Sequence, residues 1–331
     1  MRWKINDSVD RNAVRTLQEQ LQVNELIATL LVQRGIATYE QARAFFRPSL
    51  ADLHDPYLMK DMDKAVQRIE LALENEERIL VFGDYDVDGT TAVSLVSAYL
   101  KTLSDNIDTY IPDRYLEGYG ISNKGIDYAE DNEFSLIIAL DCGIKSIDKI
   151  DYAKAKGIDF IICDHHLPGD EVPGAVAVLD AKQKDCNYPY KELCGCGVGF
   201  KLIQALGRNR NQTTEDLVSY LDLVATAIAA DIVPITGENR ILAHFGLEVI
   251  NSFPRPGLLA LKKAYSISEF TITDVVFKFA PKINAAGRIK HGNYAVKLLS
   301  EFDLEQAIEF AKEIDEFNSH RKDLDKEITI Q

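Results

Sequence analysis

Residues 79–89 read Ile79-Leu80-Val81-Phe82-Gly83-Asp84-Tyr85-Asp86-Val87-Asp88-Gly89. An apolar run too short for a helix enters a glycine and then three aspartates at alternate positions. Such a run, bounded by turn residues, predicts a buried strand. The stretch 90–103 that follows predicts a helix. The unit recurs downstream, with apolar runs at 107–111, 136–140, 160–163 and 175–179, most of them separated by helical stretches such as 144–156. Strands alternating with helices predict an α/β fold, a parallel sheet flanked by helices.

Upstream, 1–77 predicts an N-terminal helical segment. Val14, Leu17, Leu21, Leu26 and Leu30 recur at helical spacing, Gly35 is placed to end a helix, and Thr38 with Gln41 forms a capping-box pattern. Pro48 stops the next helix, and another is expected over 64–77. Downstream, 213–230 predicts one buried helix and 240–300 is mostly helical. Residues 302–328 predict a long amphipathic helix, with Leu304, Ile308, Ala311, Ile314, Phe317, Leu324 and Ile328 on one stripe interrupted at Arg321. That helix reaches the chain end without a capping signal and is expected to be a connector. The expected organisation is a helical segment at 1–77, an α/β domain at 78–300 and a connector helix at 301–331.

Composition sets limits. The 331 residues are 46% hydrophobic and 27% charged, the profile of an ordinary globular protein. The 37 basic and 52 acidic residues leave a net charge of −15, so the average surface repels nucleic acid and attracts cations. Screening confines such effects to about 10 Å, which leaves room for a local basic groove. No apolar run approaches the roughly 20 residues of a membrane span, and the opening MRWKINDSVD lacks the apolar core of a secretory leader. Five cysteines, an odd number, read as reduced thiols. The expectation is a cytoplasmic protein without a membrane partner.

Asp84, Asp86 and Asp88 lie within five residues and repel one another, so a cation or strong donors must offset them. A calcium loop would need a bidentate Glu at its twelfth position; counted from Asp84 that position is Leu95, and the preceding element is a strand rather than a helix. The calcium-loop reading fails. Further candidates are Asp141 in Leu140-Asp141-Cys142-Gly143, the run Asp164-His165-His166, and Asp231 in Ala230-Asp231-Ile232-Val233-Pro234. A lone Asp in such a place is a cap and a lone His a satisfied side chain. The clusters at 84–88, 141 and 164–166, however, each follow a strand. In an open parallel sheet ligands bind beyond the carboxyl ends of the strands. Carboxylates with imidazole and no thiolate suit Mn²⁺ or Mg²⁺, and enough ligands exist for two ions.

Taken in order, GDYDVDG, LDCG, DHH and ADIVP resemble the four motifs of the DHH phosphoesterases. The flanking VFGDYDVDGTTA, YIPDRYLEGYGIS, DHHLPGDEVPGAVAVLDAKQ, GCGVGFKL and FKFAPKINAAGRI are similar to the RecJ-type branch, over roughly 78–300. The resemblance implies a 5′-to-3′ exonuclease on single-stranded DNA in repair and recombination, using Mn²⁺ or Mg²⁺. It implies Asp84, Asp86, Asp88, Asp141, His165 and Asp231 as metal ligands, with Asp141 between two ions. It gives His166 to the phosphate and Asp164 to orienting the histidines. It also implies further domains, among them an oligonucleotide-binding fold. Where many members carry a His four residues before the D-x-D, this chain has Phe82, and Asp84 is expected to replace it.

For substrate phosphates the candidates are Arg114, Arg288 and Asn284 of NAAGR, since guanidinium gives bidentate contacts to phosphate oxygens. Tyr115 and Tyr119 are read either as base-stacking or as core residues. Cys186, Cys194 and Cys196 lack the second pair of a zinc site. Gly195, Gly197 and Gly199 open a helix, either for a phosphate or for close packing. Single-stranded DNA is the expected partner of a monomer. The rival readings are a DHH phosphodiesterase on short oligonucleotides, cyclic dinucleotides or pyrophosphate, and a non-catalytic replication scaffold.

Overall fold

The computed structural model describes residues 9–330, without the side chains of 324, 325 and 327–330. The side chains of the stripe positions Leu324 and Ile328 therefore lie outside what is described. The chain forms two compact units, Met1–Leu53 and His54–Gln331.

The first unit holds α1 (Arg11–Leu21), α2 (Glu25–Gln33) and α3 (Tyr39–Phe46). Each start is fixed by a side chain: Asp10 accepts from the amides of Asn12 and Ala13, Asn24 from Ile27, and Thr38 exchanges a full capping box with Gln41. These caps satisfy amides that no carbonyl within the helix can reach. Val14, Leu17, Ala28, Leu31, Ile36 and Ala42 form its core.

The second unit begins with α4 (Met62–Glu74) and is built on β1 (Arg78–Gly83), β2 (Ile107–Tyr110), β3 (Phe134–Leu140), β4 (Asp159–Cys163) and β5 (Ala177–Leu179). The strand order is β2-β1-β3-β4-β5, and every pairing is parallel. The chain leaves β1 for β2 on one side and crosses to the other side for β3. The carboxyl ends of β1 and β3 therefore flank the switch point of the sheet, where a crevice opens.

Alternate residues of each strand face opposite sides. Leu80, Phe82, Ile137, Ala139, Phe160, Ile162 and Val178 pack with Ile126 and Ala129 of α6 (Asn123–Asp131) and Ile150 and Ala153 of α7 (Ile147–Ala155). The opposite face meets α5 (Val87–Lys101) and α8 (Gly195–Arg208), which also pack on each other, while α4 lies against β5 and α8. Both faces being covered, the strands read as continuous apolar runs rather than alternating ones.

Helix α5 starts three residues earlier than the sequence suggests, because Asp86 caps it by accepting from the Gly89 amide at 3.0 Å. Asp88 is thereby carried into the first helical turn. The single helix expected over 213–230 is instead a 3₁₀ segment, Glu215–Tyr220, followed by α9 (Leu221–Asp231). Asp216 accepts from both the amide and the hydroxyl of Thr213, a local arrangement that competes with a regular first turn.

Beyond α9 come α10 (Gly237–Ser252), α11 (Pro256–Ala264), α12 (Ile272–Asp274), a π turn at Val275–Phe279, α13 (Ala280–Ile289), α14 (Asn293–Ser300) and α15 (Leu304–Ile330). Among the described residues, Ala307, Ala311, Ile314 and Asn318 are the buried positions of α15, which packs against α11, α13 and α14. Among the described residues no helix is long and apolar enough to cross a membrane.

Candidate metal centre

Asp84 follows β1, Asp141 follows β3 and Asp164 follows β4, so three adjacent strands deliver acidic groups to the crevice. A fourth comes from Asp231, the last residue of α9. His165 is the focus. Its Nε2 lies 3.1 Å from Asp141 Oδ1, 3.6 Å from Asp88 Oδ2 and 3.7 Å from Asp231 Oδ2. Two groups of ligand atoms close enough for an ion overlap there, Asp88–His165–Asp231 and Asp141–His165–His166. Asp84 and Asp86 fall outside these two groups. Asp86 turns to cap α5, and Asp84 is buried beside it with neither oxygen hydrogen-bonded.

Local structure explains the aim of each side chain. Asp141 takes a left-handed backbone, φ 59°, in the turn directly after β3. Asp88 accepts from the amides of Gly195 and Cys196, each at 2.7 Å, and so pins the first turn of α8 beneath the site. Gly195 is required there, since a β-carbon would lie 2.5 Å from that of Asp141. Asp164 accepts from the amides of Ile144 (2.9 Å), His165 (2.7 Å) and His166 (3.1 Å) and from His166 Nδ1 (2.7 Å). It fixes the turn that presents both imidazoles.

The electrostatics are those of a site short of a cation. Burial, then the charges of Asp231 and Asp86, push Asp88 up to about 8. Burial and Asp86 push Asp84 up to about 7, and Asp231 up to about 6. Asp141 is driven well above the carboxylate range by burial and by Asp88. His165 goes the other way, down to about 4, through burial and the neighbouring His166. A neutral imidazole has a lone pair to offer a metal. Asp164 differs from these carboxylates in falling below its ordinary value: its bonds to His166 and to backbone amides outweigh its burial. Asp84 Oδ1 and Oδ2 and Asp141 Oδ1 are buried without a hydrogen-bond partner. Such orphaned oxygens beside a neutral imidazole fit a hard divalent cation, which would relieve their repulsion.

The rim is organised by Tyr85, a residue that sequence reasoning passed over. The Arg114 guanidinium sits 4.7 Å from its ring centre. Gly287 of α13 presses so close that a β-carbon would meet the Tyr85 carbonyl at 2.7 Å. Arg288, exposed in the last turn of α13, has its charge felt by the Tyr85 phenol, as does Arg114. Asn284 lies one turn before Arg288 on the same helix. Tyr115 and Tyr119 are not core residues: they are 73% and 58% exposed. Tyr115 donates to the Arg288 carbonyl at 2.7 Å, and the Tyr119 hydroxyl is 3.3 Å from His166 Nε2.

The glycine-rich start of α8 serves close packing, because its first amides are taken by Asp88. The cysteines 186, 194 and 196 are buried, and among the described residues none joins a metal-ligand group. Sequence reasoning also missed Asp180, buried after β5 with Oδ2 unpaired, and Lys182, whose charge reaches His165 and Asp231. Both sit in VLDAK, where only the strand end gave a signal.

A parallel sheet carries acidic and histidine residues beyond three strand ends, and over this frame the profile described as DHH family, N-terminal domain, matches residues 78–228. The chain belongs to the DHH family. Within it, the chain is similar to the single-stranded-DNA-specific exonuclease RecJ of Bacillus subtilis (strain 168), with 42% identity over 99% of this chain and 41% of the relative. RecJ of Escherichia coli (strain K12) is 33% identical over 92% of this chain and 55% of its own length. The chain thus spans about half the length of these curated relatives. A crystal structure of exonuclease RecJ bound to manganese superposes with a TM-score of 0.77 and 31% identity, covering 85% of this chain and 70% of that one. RecJ from Thermus thermophilus in complex with Mn²⁺ gives 0.84 and 28%, covering 99% and 47%.

Proposed function

We propose that this chain carries the catalytic part of a metal-dependent exonuclease that hydrolyses phosphodiester bonds of single-stranded DNA from the 5′ end. Its place is in repair and recombination, in the cytoplasm, acting as a monomer. The observation that carries the reading is the convergence of Asp88, Asp141 and Asp231 on His165 Nε2 beside buried unpaired carboxylate oxygens. Relatives solved with Mn²⁺ and Mg²⁺ support the choice of ion.

Asp88, Asp141, His165 and Asp231 would hold the ions, with Asp84 and Asp86 drawn in as the repulsion is relieved. When bound, Mn²⁺ or Mg²⁺ supplies Lewis-acid polarisation of the phosphoryl group and an acidified water. His166 has Nδ1 committed to Asp164, so its Nε2, 3.3 Å from the exposed Tyr119 hydroxyl, is the atom that would face a phosphate oxygen. Asp164 serves as its orienting group. Arg114, Arg288 and Asn284 would bind the terminal 5′-phosphate across Tyr85, and Tyr119 would steady His166 at the crevice mouth. The non-catalytic scaffold reading sits badly with the buried oxygens of Asp84 and Asp141 that have no hydrogen-bond partner. Digestion of 5′-labelled and 3′-labelled single strands, with and without Mn²⁺, tests the proposal. Metal-dependent release of mononucleotides from the 5′ label first is expected; cleavage from the 3′ end, or none in Mn²⁺, overturns it.

A further inference from the structure

Beside the metal centre lies a cleft of about 290 Å³, enclosed by the loop that continues from His166 (167–172) and by the turn after β5 (182–185). Its walls carry three ammonium groups, Lys60, Lys182 and Lys184, against two carboxylates, Asp170 and Asp185. The excess is positive, in a chain whose net charge is −15. Lys60 is committed to Asp185 Oδ2 at 2.7 Å and to Gln183 Oε1 at 3.3 Å. The other two are not so held. Lys182 comes no nearer than 4.0 Å to Glu192, and Lys184 is exposed with no ion pair among the described residues. Lys182 lines the cleft, and its charge is felt at His165 and Asp231.

We propose that this cleft binds a nucleotide phosphate adjacent to the one presented to the metal centre. The identity of the occupant rests on the exonuclease reading; the existence of the site does not. Ammonium groups on flexible stems are point charges suited to phosphate oxygens. The volume lies at the lower limit of small-molecule sites, which admits a phosphate with its sugar and excludes a run of bases. Leu167 and Val172, 70% and 40% exposed on the same wall, offer apolar surface to the sugar. The wall begins at Leu167, directly after His166, so the cleft opens next to the residue proposed to face the phosphate at the centre. The shared chemistry is a phosphate ester, which the strand itself or a released mononucleotide can supply.

The test is binding to the metal-free chain, held so by a chelator, with dTMP and oligothymidylate as separate probes in calorimetry. Saturable binding is expected for the unaltered chain. Affinity should fall at least about ten-fold in Lys182→Gln/Lys184→Gln and be largely retained in Lys182→Arg/Lys184→Arg, where charge is kept. Lys184→Gln alone, at an exposed position without an ion pair, keeps the fold and should weaken binding about three-fold. A loss confined to oligothymidylate assigns the site to the strand; a loss confined to dTMP assigns it to the released nucleotide. Absence of binding, or equal affinity of the unaltered chain and the Gln variants for both probes, overturns the proposal. A chain that binds through these lysines yet cuts no labelled strand in Mn²⁺ keeps the cleft and sinks the nuclease reading instead.

Discussion

Gly195 stands so close to Asp141 that a β-carbon placed on it would lie 2.5 Å from the β-carbon of the aspartate and 2.6 Å from its Oδ1. The first turn of α8 and the turn after β3 are therefore fitted to each other without a methyl group to spare. Gly195→Ala should push the two apart, at a cost of about 1–3 kcal/mol, as in other overpacked sites. Because Asp88 is held by the Gly195 and Cys196 amides, the shift should carry two acidic groups out of place at once. Mn²⁺ affinity by calorimetry is expected to drop more than about ten-fold while the far-ultraviolet circular dichroism stays unchanged. Undiminished Mn²⁺ binding would show that the contact is not part of the site.

Asp141 illustrates a choice of substitution. Its φ of 59° is left-handed, where Ala costs roughly 1–2 kcal/mol and Asn is tolerated. Asp141→Asn should therefore abolish hydrolysis in Mn²⁺ and, in chelator, melt at an equal or higher temperature than the unaltered chain, since one repelling carboxylate is gone. A variant that keeps the full rate would remove Asp141 from the metal set.

For Arg288→Ala, strands bearing a 5′-phosphate should lose more than strands ending in a 5′-hydroxyl. Loss of a charge-assisted bond is worth about 1.5–3 kcal/mol, which lowers kcat/KM by about ten-fold to over a hundred-fold. Equal losses on the two kinds of end would make Arg288 a packing residue of α13.

Asp180, which is outside the proposed ligand set but within reach of the charges of Asp164 and His166, offers a pH signature. Burial, the largest influence, pushes its carboxyl up to about 7, and Oδ2 has no partner. An unfolded Asp titrates near about 4, so from about pH 4 to about pH 7 the folded chain holds the extra proton. Stability conferred in this way is complete below the unfolded value and is lost as pH rises through the folded one. Asp180→Asn should leave melting of the metal-free chain unchanged at about pH 4. At about pH 8 it should raise melting by at least about 2–4 °C, since roughly 1 kcal/mol moves a unit of this length that far and a shift of about three pKa units is worth up to roughly 4 kcal/mol. A variant that melts lower at the higher pH contradicts the assignment.

The strands were legible because a sheet covered on both faces writes itself as short apolar runs, and the acidic residues at their ends followed from the class of sheet. What escaped depended on contacts distant in sequence. Nothing near Asp88 signals that the amides of Gly195 and Cys196 will receive it, since the pairing is made by two helices packing over the same sheet face. Tyr85 was hidden between two more conspicuous aspartates, and its role exists only once α13 is docked against it. Helix starts misread for a local reason: Asp86 and Asp216 divert backbone amides to their own side chains, early in one case and into a 3₁₀ turn in the other. Lys182 gave no signal because its meaning lies in the cleft it lines and the residues its charge reaches.

The groups that meet at His165 Nε2 come from α5, from beyond β3 and β4, and from the end of α9, spanning positions 88 to 231. No contiguous fragment shorter than that stretch holds the whole set, and pairings so far apart in the chain are among the slowest to form. A chain emerging from the ribosome therefore has no complete centre until α9 has been made and packed. Under the nuclease reading proposed above, this ties the onset of activity to completion of the fold, so that a nascent or partly unfolded molecule cuts nothing.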